Sequence, residues 1–137
     1  MLFAQLHLTL PPWVLQLADD TRLYTDDGAR MALAIELART NVARRTGGPF
    51  GAAVFNAEGR LVSVGVNRVE AQNCSVAHAE TMALMLAQQR LQQFRLNQDG
   101  PDRHLEYTGA HSKVLRLLEI AGYGHERDLT KDMKLLQ

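Results

Sequence analysis

The chain is short of several things, and each shortage narrows what it can be. It has one cysteine, Cys74, in 137 residues. An internal disulfide framework is therefore excluded, and a reducing, cytoplasmic setting is expected. Formal net charge is zero, with 15 basic and 15 acidic residues. Such a chain carries no global field to attract nucleic acid or an anionic membrane. The one local basic group, Arg39, Arg44 and Arg45, reads as a solvated helix end rather than a nucleic-acid patch. No uninterrupted apolar stretch reaches membrane-spanning length. The first eight residues have no basic leader and are interrupted by Gln5 and His7, which makes a poor secretory signal. The expectation is a soluble intracellular domain.

What is present fits one domain. A hydrophobic fraction of 46% with 22% charged residues is that of a globular chain. A chain of 137 residues suits one compact core, taken here as residues 1–137 with a weakly patterned lead-in over 1–24. Pro11-Pro12 opens a short helix through Trp13 and Leu17. Thr25, Asp26 and Asp27 offer an N-cap and dipole-matched acids for a second helix. Met31, Ile35, Ala38 and Val42 define that helix's expected buried face, and Gly47-Gly48-Pro49 stops it.

The period then changes. Phe50 to Phe55 is a short apolar run, Asn56 to Gly59 a turn, and Arg60 to Asn67 a second strand, so an antiparallel hairpin is predicted. Small residues Gly51, Ala52 and Ala53 admit close approach by a packed helix or a ligand. A strong helix is predicted over 76–94, a third strand over 104–108, and a further helix after Ser112. The order helix, hairpin, helix, strand, helix implies a mixed sheet covered by helices.

The chemistry sits at the start of the long helix. His78-Ala79-Glu80 places an imidazole and a carboxylate two residues apart where a helix N-terminus can point both into a site. A histidine there can hold a metal while the carboxylate moves a proton to or from the metal's water. Alone, this pattern is weak: a single histidine is more often structural, and an acid in the first helical turn is favourable without any catalytic role.

The surroundings add to it. Pro49-Phe50-Gly51-Ala52-Ala53-Val54, Gly59-x-Leu61-Val62, Gly65-x-Asn67 and Ala77-His78-Ala79-Glu80 occur in order. Together, over roughly residues 26–108, they resemble the cytidine deaminase-like superfamily, closest to its nucleoside, guanine and tRNA-adenosine deaminase branch. The resemblance implies an α/β fold, a three-layer α/β/α sandwich around a mixed sheet, in a chain that looks cut short on its C-terminal side. It implies zinc as cofactor, His78 as a zinc ligand and Glu80 as the catalytic proton shuttle. Asn67 and Phe50 would bind the base of a small nucleoside or nucleobase substrate, and a homo-oligomer is expected. Read singly, Asn67 is a strand-ending turn residue and Phe50 is core.

One element of the family pattern is missing. Two thiolates are expected in P-C-x-x-C after the third strand. Here Gly109-Ala110-His111-Ser112-Lys113-Val114-Leu115-Arg116 follows it, and a gapless alignment puts Lys113 and Arg116 at the cysteine positions. Cations repel zinc. His78 with Cys74 and His111 is the substitute ligand set the sequence offers, although a lone cysteine is more often a small buried hydrophobe. Two functions follow: hydrolytic deamination of a purine or pyrimidine if a metal site is completed, or a non-catalytic base-binding or oligomerisation module. In the second, Lys113 or Arg116 would pair with Glu80 in place of metal. A third account makes residues 109–137 an atypical, rearranged segment.

Overall fold

The computed structural model describes residues 1–94, 96 and 105–109, the last five as backbone. The helix expected after Ser112, together with His104, His111, Lys113, Arg116 and His125, lies outside the described residues.

A short helix, α1 (Trp13–Leu17), leads into α2 (Asp27–Ala43). The Asp26 side chain accepts the Ala29 amide at 2.8 Å, satisfying a first-turn donor that would otherwise lack a partner. The hairpin follows as β1 (Gly51–Asn56) and β2 (Leu61–Val66), then α3 (Ala79–Leu91) and β3 (Leu105–Gly109). In the hairpin turn, Asn56 Oδ1 accepts the amides of Glu58 and Arg60 at 3.0 and 2.9 Å. Gly59 there adopts φ +86°, a conformation that L side chains avoid.

The sheet order is β2-β1-β3, and β1 pairs antiparallel with both neighbours. A mixed sheet was expected, but these three strands form no parallel pair. The strands β2 and β3 do run in the same direction, as a helical crossover between them suggests, yet β1 lies between them. Alternation along β1 divides the core. Ala52 and Val54 join Val62 of β2 and Ala79, Ala83, Leu84 and Ala87 of α3 on one face. On the other face, Ala53 and Phe55 join Leu33 and Leu37 of α2, with Trp13, Val14 and Tyr24. A register shift falls between Val54 and Phe55. The carbonyls of Leu61 and Val62 opposite it accept Arg90 Nη1 at 3.2 and 2.9 Å.

Glycine sets how closely the helices approach. A Cβ on Gly51 would collide with the Ala34 carbonyl of α2, and one on Gly65 with the Ala79 carbonyl of α3. The small residues of β1 therefore receive a helix at Gly51 rather than a ligand. The buried stripe of α2 differs from the expected one. It comprises Arg30, Met31, Leu33, Ala34, Leu37 and Asn41, whereas Val42 is 48% exposed. The stripe contains two polar residues, which a hydropathy pattern assigns to the surface. Arg30 is accommodated by donating from Nε to the Tyr24 carbonyl at 3.0 Å and by lying over the Phe55 ring.

Candidate functional site

The hairpin brings the start of β1 and the end of β2 to the same edge, with Gly51 opposite Val66. The ladder runs one step further, since the Asn67 amide donates to the Phe50 carbonyl at 3.3 Å. Phe50 and Asn67, separate in sequence, therefore stand side by side. Phe50 is half-buried and packs on the cluster that contains Ala79, the first residue of α3. Asn67 is buried, and its Oδ1 lies 3.5 Å from the Gly48 amide and 3.4 Å from the Val69 amide.

A loop over 68–78 carries the chain from β2 to α3. The Arg68 amide donates to the Ala77 carbonyl at 2.9 Å, closing this loop at its base. Cys74 sits in it, half-buried, in a turn whose carbonyl accepts the Ala77 amide at 3.0 Å. His78 is the N-cap residue of α3, with extended backbone, an exposed side chain and no side-chain capping bond. Thr81 Oγ1 bonds the Val76 and His78 carbonyls instead. Glu80, two positions on, is 2% exposed. A carboxylate at such depth is costly unless its surroundings compensate it. The amides at the start of α3 supply part of that compensation through the helix dipole.

The structure thus brings Phe50 and Asn67 together at one end of the hairpin, buries Glu80 in the first turn of α3, and leaves the His78 side chain exposed at the N-cap of that helix. It does not assemble a metal centre from what it describes. Among the described residues there is no group of three or more histidine, cysteine, aspartate or glutamate side chains able to hold a metal ion. Of the substitute set, Cys74 and His78 are described and His111 lies outside the described residues. With one cysteine in the sequence, a site of one imidazole and two thiolates cannot be built from this chain. The described donors, Cys74 and His78, do not by themselves complete a zinc site.

Four residues beside the candidate site were not singled out from the sequence as candidates. Asn41 is fully buried and donates from Nδ2 to the carbonyls of Gly48 and Asn67 at 2.9 and 3.0 Å. Thr46 Oγ1 donates to Asn41 Oδ1 at 2.7 Å. Arg68 Nη1 donates to the Thr46 carbonyl at 2.7 Å, and partial burial lowers the guanidinium pKa from its ordinary value. Gly48 is the fourth, because a Cβ there would lie 3.4 Å from the Phe50 ring and 3.5 Å from Asn67 Oδ1. One signal was available: Asn41 lies four residues after Leu37, on the buried stripe of α2.

Comparison with known proteins agrees with this architecture. The family described as the cytidine and deoxycytidylate deaminase zinc-binding region matches residues 24–101. A guanine deaminase from Nitrosomonas europaea is 40% identical, with TM-score 0.71, covering 80% of this chain and 60% of that one. The protein NE0047 in complex with 2,6-diaminopurine is 41% identical, with TM-score 0.69, covering 77% of this chain and 56% of that one. A guanine deaminase from Bacillus subtilis is 28% identical, with TM-score 0.56, covering 63% and 50%. The chain therefore spans some 50 to 60% of the length of these structures. No curated protein sequence matches. On the family match and the shared fold, the chain belongs to the cytidine and deoxycytidylate deaminase family.

Proposed function

We propose that this chain is a nucleobase deaminase-like protein whose site takes a purine base. The observation that carries this reading is the buried Glu80 carboxylate in the first turn of α3, a helix seated on β2 at Gly65 and against Phe50, which pairs with Asn67. In this reading Phe50 offers an aromatic face for stacking a base. Asn67 offers an amide that can both donate and accept at the base edge. Glu80 accepts or holds a proton on the ring, a task for which a buried carboxylate is suited. The 40% identity to a guanine deaminase supports a purine as the base. The α/β/α arrangement expected of the whole family domain is proposed on the same grounds, from helices packed on both sheet faces.

Zinc would supply an acidified water as nucleophile. His78 is the residue proposed to ligate it. The described donors do not complete that site, so Glu80 is assigned base recognition and proton holding here, and nothing further. A second reading, a base-binding domain without hydrolysis, is favoured by the single cysteine and by Lys113 and Arg116 at the expected thiolate positions.

Calorimetric titration with 8-azaguanine, zinc content by elemental mass spectrometry and ammonia release from guanine together separate the readings. Binding with about one zinc per chain, and ammonia release lost in Glu80→Gln, supports the enzyme. Binding without zinc or ammonia supports the non-catalytic domain. A folded chain that does not bind 8-azaguanine refutes both.

A further inference from the structure

We infer that Asn41 is a positioning residue for this site, and that it works as the buried end of a hydrogen-bonded relay from the N-terminal segment. The inference rests on the purine-binding reading for its ligand, but on the hydrogen bonds for its geometry. Asn41 is wholly buried on α2, outside the set of side chains proposed to meet the base. One amide group, Nδ2, holds two separate stretches of chain: the Gly48 carbonyl before β1 at 2.9 Å and the Asn67 carbonyl after β2 at 3.0 Å. These are the two sides of the Phe50–Asn67 edge. With both amide hydrogens so used, the spacing between Gly48 and Asn67 is set by a single rigid planar group.

Asn41 is itself held. Its Oδ1 accepts Thr46 Oγ1 at 2.7 Å, and that hydroxyl accepts Trp13 Nε1 at 3.0 Å. The hydroxyl's single proton is directed to Asn41, so the indole must be the donor at its other side. The amide is thus oriented, with nitrogen toward the two carbonyls and oxygen toward the hydroxyl. Arg68 adds a second tie, from Nη1 to the Thr46 carbonyl at 2.7 Å and from Nε to the Thr9 carbonyl at 3.0 Å. Gly47 shows how tight the packing is, because a Cβ there would collide with the Asn67 carbonyl and lie 2.5 Å from Asn41 Nδ2. A chain of directional bonds therefore runs from Trp13 through Thr46 and Asn41 to the backbone that sets Phe50 and Asn67. Polar networks with a buried member such as Asn41 specify one geometry when every member is satisfied.

Asn41→Ala removes both carbonyl contacts and leaves those acceptors without that partner. The expected result is 8-azaguanine affinity weakened about tenfold or more, with Thr46→Val weakening it less and Thr46→Ser, which keeps the hydroxyl, restoring it. Leu33→Ala, a buried apolar truncation on the same helix, serves as the control for lost stability alone. Affinities are compared at a temperature where every variant is folded. Hydrogen exchange followed by mass spectrometry supplies a readout that needs no ligand. In Asn41→Ala, exchange over 46–50 and 66–69 should quicken more than over 52–54 and 63–65. If the affinity of Asn41→Ala matches that of Leu33→Ala, the positioning role is overturned. A wild-type chain that binds no 8-azaguanine refutes the purine reading instead. The relay is then decided by exchange alone: a local increase upholds it, and a uniform increase overturns it.

Discussion

Gly65→Ala places one methyl group between β2 and α3, and its consequence can be worked from the packing. The added Cβ would collide with the Ala79 carbonyl oxygen and lie 2.7 Å from the Ala83 amide nitrogen and 3.0 Å from the Ala79 carbonyl carbon. All three atoms are helix backbone, so no side chain can rotate away. Restoring ordinary non-bonded separation requires α3 to move outward by roughly 1.5 Å or more. The strand gains from the substitution, since alanine restricts the unfolded chain and is worth about 0.4–1 kcal/mol where its conformation is tolerated. Overpacking a rigid contact costs about 1–3 kcal/mol and at times more. The overlap falls on two successive turns of α3, at Ala79 and Ala83, so the cost wins. A net destabilisation of about 1–2 kcal/mol is expected. Urea denaturation at equilibrium, with m-values compared to confirm a common two-state transition, measures it. Because α3 starts at the His78 N-cap and carries Glu80 in its first turn, 8-azaguanine affinity should fall with it. A variant as stable as the parent or more so would show that α3 is not seated on β2 at Gly65, and would refute the account of how the helix start is placed.

Two further outcomes are expected. Gly48→Ala should leave stability within about 0.5 kcal/mol, because its Cβ meets Phe50 and Asn67 at ordinary distances. It should nonetheless lower base affinity by narrowing the gap between those side chains, and an unchanged titration curve would remove Gly48 from the site. Burial raises the Tyr24 phenol above its ordinary pKa of 10.0. The folded pKa exceeds the unfolded one, so this contribution is complete below about pH 10 and is lost as pH rises through the folded value. Denaturant midpoints should fall more steeply above pH 10 in the parent than in Tyr24→Phe, and parallel curves would contradict the burial.

The hairpin was legible because its signals are local. An apolar run of period two, a turn ending in glycine and a second such run leave few alternatives, and the structure places β1 and β2 within one residue of the expected bounds. The start of α2 was legible for the same reason, since Asp26 caps it through a bond spanning three residues. Phe50, Asn67, His78 and Glu80 stood out through ordered motifs, although the sequence alone could not show that Phe50 and Asn67 are neighbours. That follows from hairpin register.

What tertiary structure decided is the work of its buried polar residues. Arg30 and Asn41 read as surface positions because hydropathy scores the side chain without its partners. Inside the fold each has a carbonyl within hydrogen-bond reach, and burial becomes favourable only there. The seating of both helices on glycine likewise depends on which backbone arrives opposite Gly51 and Gly65. The sequence by itself determined the order of the elements through β3, the family pattern and the lack of a second thiolate. The fold determined which polar groups go inside and what they hold, because a hydrogen bond between distant residues exists only once the chain has brought its two ends together.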